Sequence, residues 1–199
     1  MSNLAGQEII NFGYDKSNKV NYKFNSLGFR SPEQHNRDSV IVVGNSIGFG
    51  IGLLQEQTYG YQAAQQLGLG YINCAVGCYF HENHDHLINL QKLSARSNKD
   101  LFVIQINNLD RHRIDNNTVI TTGNTDQCVA KFIDYFDLVE SILKDKQRVY
   151  LYWDNINYEL PTSIKNKLLI HNKFHIDSSL DTNLSTFGIK SHRAISKVI

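Results

Sequence analysis

From Ser39 onward the chain alternates short β-branched or aromatic runs with longer stretches of helical periodicity. That alternation restricts the fold more than any other feature, because it is the pattern of parallel βαβ units. Strands are expected at residues 39–43, 71–75, 101–106, 148–153 and 174–177, and helices at 58–67, 82–93, 126–144 and 185–198, with a shorter one over 162–170. The longest helix is the plainest: Val129, Phe132, Ile133, Phe136, Val139, Ile142 and Leu143 recur at the spacing of one helical face.

Right-handed crossovers bring the carboxyl ends of all parallel strands to one edge of the sheet, where ligands of open α/β sheets bind. The residues that follow the expected strands are Gly44-Asn45-Ser46, Gly77-Cys78, Asn107 to Arg111, Asp154-Asn155 and the segment 177–185. Small and polar groups therefore collect at that edge. Five such strands make an α/β, flavodoxin-like three-layer sandwich with a roughly five-stranded parallel sheet.

A chain of 199 residues, 41% hydrophobic and 20% charged, fits one such domain. Residues 1–38, polar and rich in Asn, Lys and Ser, read as an irregular arm entering a domain that spans 39–199. Twenty basic against nineteen acidic residues leave a net charge of +1, a balance that implies neither a nucleic-acid nor a membrane partner. The longest apolar runs, at 40–43 and 101–104, are too short to cross a bilayer, and residues 1–11 lack the pattern of a secretory signal. A cytoplasmic protein is expected. Cys74, Cys78 and Cys128 are odd in number and lack paired metal-ligand spacing, so buried thiols are expected.

The run Gly44-Asn45-Ser46-Ile47-Gly48-Phe49-Gly50 ends the first core strand in a glycine-rich turn, which can expose a serine hydroxyl and aim backbone amides at one spot. The same turn suits a phosphate, or simply a tight bend with a satisfied serine, although neither phosphate-loop pattern is present. Asn25-Ser26-Leu27-Gly28-Phe29-Arg30, then residues 40–50, then Thr58-Tyr59-Gly60, resemble in order and spacing the opening of SGNH (GDSL) hydrolases. The resemblance implies Ser46 as nucleophile, with Asn45 in place of the usual aspartate and near the substrate. It implies the Gly77 amide as an oxyanion donor, although the usual spacing falls on Cys78. The third family block falls on Asn107-Asn108-Leu109-Asp110, which sets Leu109 at the oxyanion asparagine and leaves Asn108 to serve if the turn is bulged.

Counting back from Gly188 sets Asn183 where the family keeps its catalytic histidine, and asparagine is not a general base. The remaining candidates for that proton are His175 and His192. The family's chemistry is acyl transfer on small or carbohydrate O-acyl esters, and no cofactor or metal is expected. The other reading is a catalytically silent SGNH-like module that binds a ligand or builds an assembly, with the N-terminal arm as its contact. Arg111, beside His112 and Arg113, is either a receptor for a substrate anion or an exposed basic loop. Trp153 reads as core and Asp154 as a substrate contact. His81, His84 and His86 read as the solvated first turn of a helix rather than a metal site.

Overall fold

The computed structural model describes residues 4–12, 19–33, 37–75, 84–106, 111–113, 119–121, 125–152, 159–170 and 189–199. Two antiparallel strands come first, β1 (Glu8–Phe12) and β2 (Lys19–Lys23). The core follows as β3 (Ser39–Val43), α1 (Ser46–Phe49), α2 (Tyr59–Leu67), β4 (Gly70–Asn73), α3 (His84–Ser94) and β5 (Leu101–Gln105). A small ribbon, β6 (Arg111–Arg113) with β7 (Val119–Thr121), precedes α4 (Thr125–Ile142), β8 (Gln147–Tyr152), α5 (Thr162–Lys165), β9 (Leu168–Ile170) and α6 (Ile189–Ser196).

The central sheet has the order β4-β3-β5-β8-β9 with every pairing parallel, which is the doubly wound arrangement expected. Both faces are covered, so β3 is buried along its whole length. Val40 and Val42 face one layer with Tyr59, Ala64 and Ile195 from α2 and α6. Ile41 and Val43 face the other, with Leu90 and Leu93 of α3 and Phe132, Phe136 and Val139 of α4. The period of two along the strand thus sorts side chains between two helical layers.

Two expectations are corrected. The expected strand at 174–177 lies outside the described residues, and the fifth strand of the described sheet is β9, inside the stretch read as a helix over 162–170. Ile164 and Leu168, four apart and both buried, give that stretch its helical look. The helix nevertheless ends after one turn, because the backbone of Leu168 to Ile170 pairs with Tyr150 to Tyr152 of β8. The opening segment is also not an irregular arm. Within it, Val20, Tyr22 and Phe24 alternate with polar residues, and all three are buried with Leu4 and Phe49 packed against them. The apolar face of this segment is turned onto its own domain at Phe49.

At the opposite end of the sheet from α1, Glu140 of α4 accepts hydrogen bonds from Arg148 Nε, from Lys167 Nζ and, at 2.6 Å, from the Tyr150 hydroxyl. Partial burial pushes this carboxyl up, and the three donors more than reverse that, holding it at about 2 against an ordinary 4.5. Its stabilisation is therefore present above pH 4.5 and lost as the pH falls toward 2. Glu140→Gln is expected to lower stability at pH 7 by about 2 kcal/mol. Urea titrations across that window should show the gap to the parent closing as the pH falls.

Among the described residues no helix is long and apolar enough to cross a membrane. Cys74 and Cys128 are buried, as expected of core thiols, and Cys78 lies outside the described residues.

Candidate active site

The chain leaves β3 through α2 to β4 on one side and returns through α3 to β5 on the other, so the carboxyl end of β3 is the switch point of the sheet. Ser46 stands there as the first residue of α1, 4% exposed. Its carbonyl accepts from the Gly50 and Ile51 amides at 3.0 and 3.1 Å. Among the described residues no hydrogen bond engages its hydroxyl or its amide. A first-turn amide has no partner within its own helix, so this donor is open to an external acceptor.

The rest of the turn is heavily bonded. Asn45 caps α1, its Oδ1 accepting from the Ile47 amide at 2.9 Å and from Gln105 Nε2. Gln105 closes the bridge from the end of β5, its Oε1 accepting from the Gly48 amide at 2.7 Å. Gly44 makes room for this, since a Cβ there would stand 2.6 Å from both Cβ and Oε1 of Gln105. Asn73, the last residue of β4, donates to the Gly48 carbonyl at 3.1 Å and accepts from the Ala75 amide at 3.0 Å. Gly50, at φ 75° and ψ 51°, closes the helical turn in the left-handed conformation.

Asn45, expected beside the substrate, is thus the cap of the turn, and the oxygen an aspartate would offer is the atom in use. Gln105 and Asn73 were not read as site residues. For Gln105 the signal was present: a lone amide closing the otherwise apolar run Leu101-Phe102-Val103-Ile104-Gln105, where a polar side chain needs a partner.

His192 sits on α6, 1% exposed, stacked on the Tyr59 ring at 5.4 Å. Its Nδ1 accepts from the Tyr59 amide at 2.9 Å, the first amide of α2, while the preceding Thr58 makes no side-chain cap. Burial, followed by the charge of Arg30, pushes its pKa down to about 3. An Nδ1 that accepts leaves the proton on Nε2, so neither ring nitrogen is poised to take one from Ser46. This geometry corrects the expectation of His192 as a base: it caps a helix.

Gly77, Asn108, Asp154, His175 and Asn183 lie outside the described residues, as do Leu109 and Trp153. Arg111 opens β6, its backbone paired with Thr121. Helix α3 begins at His84, within the histidine cluster, and among the described residues no three His, Cys, Asp or Glu side chains gather as a metal site.

No protein-family model and no curated protein sequence matches the chain. Solved structures do. A carbohydrate esterase whose active site displays divergent catalytic and non-catalytic binding functions aligns with a TM-score of 0.53 over 84% of this chain and 64% of its own, at 11% identity. The chain shares its fold with a carbohydrate esterase. A carbohydrate esterase family 2 enzyme with a carbohydrate-binding domain, from Corynascus thermopiles (Myceliophthora fergusii), aligns at a TM-score of 0.47, 13% identity, and 84% and 65% coverage. The chain spans just under two thirds of either structure's length. At 11% identity the likeness is one of architecture, a five-stranded parallel α/β fold.

Proposed function

We propose that this chain is a serine ester hydrolase acting on a small or carbohydrate O-acyl ester, with Ser46 as the nucleophile. The observation that carries the reading is a serine at the switch point whose hydroxyl and amide have no partner among the described residues, on a turn whose following amides, from Ile47 to Gly50, are engaged. In this reading Ser46 Oγ attacks the ester carbonyl as its proton passes to the base, and the Ser46 amide receives the developing oxyanion. Collapse breaks the ester C–O bond and releases the alcohol with that proton, and water then hydrolyses the acyl-serine. The Gly77 amide and Asn108 are assigned as further oxyanion donors, His175 as the base in place of the family histidine at Asn183, and Arg111 and Asp154 as substrate contacts. The carbohydrate part of the proposal draws support from the shared fold with a carbohydrate esterase.

A second reading, binding without turnover, is favoured by one observation: the lone pair of His192 is engaged by the Tyr59 amide. One experiment separates them. Purified chain and Ser46→Ala are treated with a fluorophosphonate probe and assayed for acetate release from p-nitrophenyl acetate and from an acetylated xylo-oligosaccharide. Labelling and release that vanish in Ser46→Ala are expected. Saturable binding of the oligosaccharide with no labelling and no release would replace the hydrolase by the binding module.

A further inference from the structure

Arg30 is among the most deeply buried large side chains of the protein, 2% exposed, and none of the ion pairs among the described residues involves it. Its guanidinium is satisfied otherwise. One terminal nitrogen donates to the carbonyls of Phe49 and Gly50 at 2.6 and 2.7 Å, and the other donates to the carbonyl of Leu53. Its Cζ lies 4.3 Å from the centre of the Tyr22 ring and 5.1 Å from that of Phe49. All three carbonyls belong to the five residues that leave α1. A buried cation is expensive to desolvate, and here it is offset by three carbonyl dipoles and two aromatic faces.

The approach to Arg30 is itself fixed. Asn25 Oδ1 accepts from the amides of Leu27 and Phe29 at 3.0 and 2.9 Å, and its Nδ2 donates to Ser31 Oγ at 3.1 Å. From the other side the Tyr22 hydroxyl accepts from the Gly52 amide at 2.7 Å. The Gly50 amide, whose own carbonyl Arg30 holds, donates to the carbonyl of Ser46. Only one helical turn separates the two ends, so a shift at Gly50 is transmitted to Ser46 through a single hydrogen bond.

We propose that Arg30 is a positioning residue for Ser46, a planar fork supplied by the N-terminal segment that fixes Phe49 to Leu53 and through them the nucleophile. This rests on the reading of Ser46 as a nucleophile. Neither Gly50 nor Leu53 contacts a reacting atom in that reading, so Arg30 acts through the loop and not on the substrate. Lysine brings the charge but carries its donors on a single nitrogen, so it does not reproduce the span between the two terminal nitrogens that reach Gly50 and Leu53.

The test uses the full chain, Arg30→Lys, Arg30→Met, and Val139→Ala as a control that loosens the core on the α4 side. Two rates are read well below each melting temperature: fluorophosphonate labelling of Ser46, and hydrogen exchange of the Gly50 to Leu53 amides. For Arg30→Lys, labelling is expected to slow roughly tenfold or more and loop exchange to quicken by a similar factor, while Val139→Ala changes neither. Should Arg30→Met fail to fold, Arg30→Lys carries the comparison. Loop exchange in Arg30→Lys that matches Val139→Ala overturns the proposal. If the parent chain itself is never labelled, the nucleophile reading falls separately, and loop exchange still decides whether Arg30 sets the loop.

Discussion

Gln105→Leu is expected to slow acylation of Ser46 by about 100-fold and to lower stability by about 3 kcal/mol. Leucine fills the site with an apolar side chain and makes neither of glutamine's bonds. The Gly48 amide would be left buried without its acceptor, and the Asn45 oxygen would lose the Gln105 amide. Both losses fall on the two residues that bracket Ser46 and its successor, so the turn is freed where its geometry matters most. Gln105→Glu gives the sharper test. A carboxylate still accepts from Gly48, but it faces the Asn45 oxygen with no proton between them; a protonated carboxyl restores both bonds.

Burial and that facing oxygen raise the carboxyl's pKa in the folded state above its unfolded value of about 4.3. The group is then destabilising at neutral pH and harmless in acid, so the stability gap between Gln105→Glu and the parent should narrow as the pH falls from 7 to below 4. Urea midpoints at several pH values, with labelling rates alongside, would show it. A gap that stays constant with pH would mean that Gln105 does not bridge Asn45 and Gly48.

That bridge marks the boundary of what the sequence discloses. The central strands β3, β5 and β8 were legible because each carries a continuous apolar run, and α4 because seven apolar residues keep one face. The serine turn was legible because glycines punctuate it immediately after a strand. The groups that hold the turn were not, since they come from 57 residues away in Gln105, 25 in Asn73 and 20 in Arg30. Only the fold brings them together. The N-terminal ribbon was missed for a different reason: its outward residues are so polar that composition hid the alternation of Val20, Tyr22 and Phe24. At β9, the spacing of Ile164 and Leu168 satisfied a helix locally, and the open edge of β8 decided otherwise.

His192 makes the largest prediction for stability. Its pKa lies near 3 in the fold against an ordinary 6.5, so the unfolded chain binds a proton that the folded one refuses anywhere between those values. Its contribution is complete above pH 6.5 and falls by about 1.4 kcal/mol for each pH unit below it, a loss of several kcal/mol by pH 4. Between pH 6.5 and 4.5 Glu140 does not yet titrate, so the two groups separate by window. His192→Asn should keep the bond to the Tyr59 amide, because the asparagine oxygen reaches the place of Nδ1, while removing the titration. Its stability is expected to be nearly level across pH 6.5 to 4.5, where the parent's falls. His192→Phe keeps the stack on Tyr59 but leaves that amide buried and unbonded, lowering stability at pH 7 by about 1 to 3 kcal/mol. The two variants together divide the residue's work between its charge and its lone pair. If instead the parent and His192→Asn lose stability in parallel on acidification, the imidazole is not the buried neutral cap of α2, and its Nε2 returns to consideration as a partner for Ser46.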